Sequence, residues 1–295
     1  MSLFRRHAAP CAFPADESWV ILSPIEASIK RKIEAVGTPL SEWDIHIYRG
    51  VLTGCNEAFI IPTARRDEIL AACRDEDERR RTAELIRPIL RGRDIKRYGY
   101  EWAELWIIGT HNGVRGKFPR IDIEDYPAVK AHLDQYWDKI AVRDDQGATP
   151  YNLRNCAYWE DFEKPKIVWA ELARTGNAFA IDYNKKLIAN TAYMITTKNQ
   201  SKKELQYLLA LLNSRVVLYA LDRISTRFDD NGWRWLRQFV ERLYIPRMID
   251  SKYILSLQQE EETSATREKL NQAIAEVYQL DQSEIDYINR ILKGY

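Results

Sequence analysis

The densest concentration of chemistry-bearing side chains lies between Arg87 and Tyr98, in the string RPILRGRDIKRY. Five cations (Arg87, Arg91, Arg93, Lys96 and Arg97) fall within eleven residues around Gly92. They cannot all be buried, because an unpaired cation away from water is too costly. Some of them face solvent or an anionic partner. Asp94 in their midst would repel a phosphate, so it is expected to orient a neighbouring arginine. Upstream, YRGVLTGCNEAFII places Gly50, Thr53, Gly54 and Asn56 between two apolar runs. A Thr-Gly-x-Asn turn presents backbone N–H groups with short hydroxyl and amide side chains. It can grip a phosphate or cap neighbouring backbone.

The other candidates for catalysis are weaker. Glu160, Asp161, Glu163 and Lys164 in YWEDFEKPK are dense enough to bind Mg²⁺ and to make a stand-alone nuclease. Their plainer reading is a solvated turn before a strand. His7, His46, His111 and His132 are scattered, and Cys11, Cys55, Cys73 and Cys156 show no zinc-ligand spacing. The (N/D)PP(Y/F) loop and the glycine-rich turn of an S-adenosylmethionine-dependent amino-methyltransferase are not in this sequence. Neither is a P-loop, a GxGxxG, an HExxH or a GxSxG.

Net charge is +1 over 295 residues, which at first argues against a polyanionic partner. The charges are segregated, however. Residues 85–120 hold eight bases and three acids, and residues 164–203 hold eight and two, while residues 121–163 carry ten acids and four bases. Such blocks can present a positive face at near-zero net charge. The cysteine usage reads as reduced thiols in a cytoplasmic protein. No apolar run approaches the roughly 20 residues of a membrane helix. Aromatics make up 11% of the chain and read first as core.

The elements that must position these residues read as a mixed α/β (α+β) body. After a leader over residues 1–22, Ser23, Pro24 and Glu26 open a helix with a capping box, Ile25, Ile29 and Ile33 share one face, and Gly37 ends it. Trp43, Ile45 and Ile47 alternate as a strand, and Ala58–Ile61 reads as the next. Helices are predicted at Thr63–Cys73, Asp77–Ile86 and Pro127–Val142, the last with Val129, Leu133, Trp137 and Ile140 inward. Strands are predicted at Leu105–Ile108, Lys166–Leu172, Ala178–Asp182 and Thr191–Thr196. The run from Ser201 to Asp222 reads as one long helix, and Trp233–Leu243 as another. Residues 23–250 form the body. Residues 251–295 form an acidic helical appendage that packs back on it or docks a protein partner, with Asp281 and Glu284 boxing the last helix.

In order and spacing, several blocks resemble the TaqI-like C-terminal specificity domain, the DNA target-recognition part of adenine-specific methyltransferases and of restriction enzymes fused to them. PLSEWDIHIYRGVLTGCNEAFII is similar to its first block and RPILRGRDIKRY to its second. KPKIVW (Lys164–Trp169), YLLALLNSRV (Tyr207–Val216) and ERLYIP (Glu241–Pro246) are similar to later ones. The resemblance runs from about Trp19 to the C-terminus. Cys55 departs from it where an apolar residue is common, as does the aromatic tip at Asp229–Trp235.

The resemblance implies that this chain holds double-stranded DNA and chooses its sequence. It implies that a methyltransferase domain, N-terminal in the same polypeptide, binds S-adenosylmethionine and methylates adenine N6. Thr53, Asn56, Arg91, Arg93, Lys96 and Arg97 are then expected at DNA from the shared blocks. Base readers are expected on variable loops: Arg115 and Lys117, Arg174 and Asn177, and Arg223, Arg227, Trp233 and Arg234. Lys198, Lys202 and Lys203 suit phosphates, which fix register without specifying bases.

Overall fold

The computed structural model describes residues 22–174, 176–229, 232–248 and 251–292. These divide into two compact units. One holds the described residues up to Trp43, then Ala210–Thr226, then those from Gln238 onward; the other holds Asp44–Leu209 and Arg227–Arg237. The C-terminal helices share a unit with the first helix, and the predicted leader lies outside the described residues except for Leu22.

The first unit is helical. Pro24–Val36 carries the predicted capping box, with Ile29 and Ile33 buried. Helices Lys252–Leu257, Ser264–Val277 and Gln282–Ile291 follow, and Asp281 with Glu284 boxes the last. They pack back on the other helices of their unit, Gln282–Ile291 against both Pro24–Val36 and Arg215–Ile224. Lys32 ties this arrangement by reaching the nearly buried Glu284 at 2.6 Å. Thr38–Pro39 pairs antiparallel with Tyr244–Ile245.

The second unit is built on two four-stranded sheets. The first runs Phe179–Asp182, Lys166–Ala170, Ala192–Thr197, Ile45–Arg49, all antiparallel. The second runs Leu187–Ile188, Ile86–Leu90, Leu105–Ile108, Ile60–Pro62, with its first pair parallel. A small sheet joins Arg227–Phe228, Gly232–Arg234 and Leu172–Ala173. Helices Thr63–Ala71, Glu76–Leu85 and Pro127–Asp134 belong to the same unit. Its core includes Phe59, Ile89, Ile107, Leu133, Phe162 and Met194, each fully buried. The fold is thus mixed α/β, as expected. Among the described residues, no helix is long and apolar enough to cross a membrane.

Four local expectations are corrected. Trp233–Leu243 is not a helix: Gly232–Arg234 is a strand whose alternation hides Trp233, and only Arg237–Val240 turns helical. The long helix from Ser201 breaks at Asn213–Ser214, where the Ser214 side chain accepts from Val217 N–H and starts a new helix, Arg215–Ile224. Ala58 and Phe59 sit in the short helix Asn56–Phe59, and the strand begins at Ile60. The predicted Pro127–Val142 helix ends at Asp134 and resumes as Trp137–Ile140, leaving Trp137 44% exposed.

Candidate nucleic-acid interface

The Thr-Gly-x-Asn turn is built from the inside. Thr53 is buried; its hydroxyl donates to Asn56 Oδ1 at 2.6 Å and accepts from the Cys55 N–H at 3.3 Å. Gly54 takes φ +65°, a conformation glycine adopts without strain. The Thr53 carbonyl accepts from Arg143 at 2.7 Å. Arg143 is itself buried and also donates to the carbonyls of Asp145, Pro150 and Asn152, with its guanidinium over the Phe59 ring. Thr53 therefore caps the turn, with its hydroxyl directed inward. The turn presents exposed Asn56 and Glu57 instead, and Glu57 is paired with Lys139 at 2.6 Å.

The second block supplies the cations. Asp94 is buried and grips Arg91 through both carboxylate oxygens, at 2.8 to 3.2 Å, while also accepting from the Arg91 backbone N–H at 2.8 Å. Asp94 orients an arginine, as the sequence implies. The same bonds raise the pKa of Arg91 further above its ordinary value. The Gly92 N–H donates to Thr191 Oγ1 at 3.0 Å, which fixes this loop to the one at 189–191. Arg93 and Lys96 stay exposed, and Lys96 donates to the Arg93 carbonyl.

These segments meet in one cleft of 650 Å³, lined by Arg49, Asn56, Arg91, Arg93 and Glu171 among others. Arg49, at the end of its strand, donates to the Asn190 carbonyl at 2.9 Å and to Glu171 at 2.9 Å. Sequence reading passed over Arg49 and Glu171. The available signal was that Arg49 directly precedes Gly50 in the first block, beside the turn already singled out. Arg49 and Arg91 are held by acceptors on one side, so little side-chain freedom remains to be lost on binding an anion.

The remaining candidates do not line this cleft. Arg115 is exposed, and Lys117 is exposed and paired with Glu160. Lys198 pairs with Asp44 at 2.8 Å, and Lys202 lies over the Tyr183 ring. Arg97 lies over Tyr98. Arg174 pairs with Asp229, and Arg227 lies over Trp233. Asn177 and Trp233, expected on exposed loops, are buried. Trp233 is an anchor of the small sheet. Arg223 belongs to the other unit, paired with Glu26 and Asp222.

The acids of the nuclease alternative are spent separately. Glu160 pairs with Lys117, Asp161 with Lys164, and Glu163 with Arg87 and Lys185. Among the described residues, no group of three or more histidine, cysteine or acidic side chains could hold a metal ion.

Fold and site together define a mixed α/β protein whose second unit carries a concave face furnished with braced arginines. The chain belongs to the family of the TaqI-like C-terminal specificity domain, whose sequence model matches residues 87–245, more than half of its length. The first resembling block, before residue 87, lies outside that match. Over 291 residues the chain is 25% identical to the Type II methyltransferase M.BstVI of Geobacillus stearothermophilus, covering 95% of this chain and 48% of that protein. It thus spans about half the length of that relative. Among solved structures it is similar to the Type IIL restriction-modification enzyme MmeI in complex with DNA, at TM-score 0.60 and 13% identity over 88% of this chain and 36% of that one. The type IIG restriction endonuclease BpuSI is similar at TM-score 0.52 and 14% identity, over 90% and 32%. At these identities the two structures share the fold with this chain.

Proposed function

We propose that the chain binds double-stranded DNA sequence-specifically, as the target-recognition domain of an N6-adenine DNA methyltransferase or of a type II restriction-modification enzyme fused to one. The observation that carries this reading is the convergence of Arg49, Asn56, Arg91 and Arg93, from two separate sequence blocks, on one cleft. Phosphate contacts of this kind position a domain on its duplex and leave the choice of sequence to other side chains. Membership of a specificity-domain family and the match to about half of a methyltransferase support it. In this reading S-adenosylmethionine and the chemistry at adenine belong to a methyltransferase domain elsewhere in the parent polypeptide, and the present chain holds the duplex against it.

Binding of the chain to duplex DNA across a salt series tests the proposal. About six phosphate contacts give a log–log slope of roughly −5. An affinity that does not change with salt would sink it. Transfer of labelled methyl groups from S-adenosylmethionine to adenine by the parent enzyme tests the assignment of the reaction.

A further inference from the structure

The small sheet of the second unit is furnished in a way the cleft does not explain. Arg227–Phe228 and Gly232–Arg234 form an antiparallel ribbon, with Phe228 opposite Gly232. A Cβ at position 232 would stand 2.6 Å from the Phe228 carbonyl oxygen and would also strike that residue's ring. Only glycine lets the Phe228 ring lie across the ribbon. Two arginines use that ring. The Arg174 guanidinium lies 5.9 Å from its centroid and that of Arg234 lies 6.0 Å away, both within cation–π range. Arg174 is 74% exposed, yet Asp229 also holds it at 2.9 Å. Trp233, wholly buried, roots the ribbon in the unit.

An exposed arginine braced by a carboxylate and an aromatic face keeps its fork in one orientation. The acids that brace the cleft arginines are set back, Asp94 at 5% and Glu171 at 23% exposure, but Asp229 is 66% exposed, and so open a carboxylate would repel a phosphate. Base edges reverse the argument. Guanine O6 and N7 take an arginine bidentately, and cytosine N4 donates to a carboxylate.

Building on the DNA-binding reading above, we propose that this ribbon is the base-reading element and that Arg174 and Arg234 are specificity-determining residues, each addressing a guanine. Asp229 and Phe228 set their aim. The cleft around Arg49, Arg91 and Arg93 then supplies sequence-independent grip.

The test is equilibrium selection of a randomised duplex library by the full 295-residue chain, followed by polarisation titrations on the selected duplex and on base-substituted copies. Arg174→Gln and Arg234→Gln are each expected to lose selection at one guanine, weakening the selected duplex by roughly 5- to 150-fold more than an unrelated duplex. Gly232→Ala keeps every arginine but displaces the Phe228 ring, and it is expected to relax the same positions. Arg93→Gln is expected to weaken all duplexes alike. Ribbon variants that lower affinity equally for every duplex, or that retain the wild-type selection, would overturn this assignment while leaving DNA binding intact. A wild-type chain that binds no duplex would bring down the broader reading and this one with it.

Discussion

Lys166 and Asp182 form an ion pair at 2.6 Å in which both side chains are wholly buried. The pair bridges adjacent strands of the first sheet, in register opposite one another. Lys166 Nζ also donates to the Phe162 carbonyl at 2.8 Å. Asp182 further accepts from the Tyr100 hydroxyl and from the N–H groups of Asn184 and Lys186. Burial pushes the Lys166 ammonium below the ordinary lysine range, and the Asp182 carboxylate opposes that. Lys166→Met would strand a buried carboxylate, so a loss of about 3–5 kcal/mol is expected in urea unfolding. Pairing that change with Asp182→Leu should recover part of it. A single variant as stable as wild type would contradict the burial described.

The cleft makes its own prediction. Arg93 is exposed at the rim of the cleft lining. Arg93→Ala should leave thermal unfolding within about 0.5 kcal/mol of wild type. It should also make the salt slope of DNA binding shallower by roughly one. An unchanged slope would remove Arg93 from the phosphate contacts.

Gly50 is demanded by close approach. A Cβ there would run into the backbone carbonyls of Ile188 and Ala189, which cannot swing aside. The Gly50 and Val51 N–H groups bond in the same place, to Ala192 and Ile188 carbonyls at 2.9 and 2.8 Å. Gly50→Ala should cost about 3 kcal/mol by overpacking, read from the denaturant midpoint. It should also weaken DNA binding, because the loop at 189–191 forms one wall of the cleft.

Two histidines predict a pH dependence. Burial holds both His132 and His111 below the ordinary imidazole range. His132 Nδ1 accepts from Arg65 Nε at 3.0 Å and its Nε2 lies 2.9 Å from the Ala58 carbonyl, so it sits neutral with the proton on Nε2. As pH falls through about 6.5, the unfolded chain takes up protons that the folded one refuses. Stability is therefore full above about 6.5 and declines below it, by at most about 1.4 kcal/mol per pH unit for each group. Glu78, whose carboxylate is held down by Arg74 and by backbone N–H groups against the opposing effect of burial, adds to the loss only as pH falls below its unfolded value near 4.5. Urea midpoints at pH 7.5, 6.5 and 5.5 check this, and His132→Gln should flatten the profile.

Much of the first unit was legible locally. The capping boxes at Ser23 and Asp281 involve residues three apart, so their geometry is carried by the sequence itself. The pairing of Arg91 with Asp94 is equally local. The helix read over Trp233–Leu243 failed because WRW alternation and a helical face are hard to separate in so short a run. Arg227–Phe228 and Leu172–Ala173 settle it from either side.

By itself, then, the sequence determined the mixed α/β class, the boxed helix starts at Ser23 and Asp281, the cationic loop with its own acidic brace, and the blocks that mark the family. Only the tertiary structure decided that Thr53, Asn177 and Trp233 are interior, that Arg49 joins Arg91 and Arg93, and that Phe228 carries two arginines. Capping and local ion pairs are settled between residues a turn apart. Burial and the company an arginine keeps depend on strands more than a hundred residues distant, as between Arg49 and Glu171, and no local pattern encodes those neighbours.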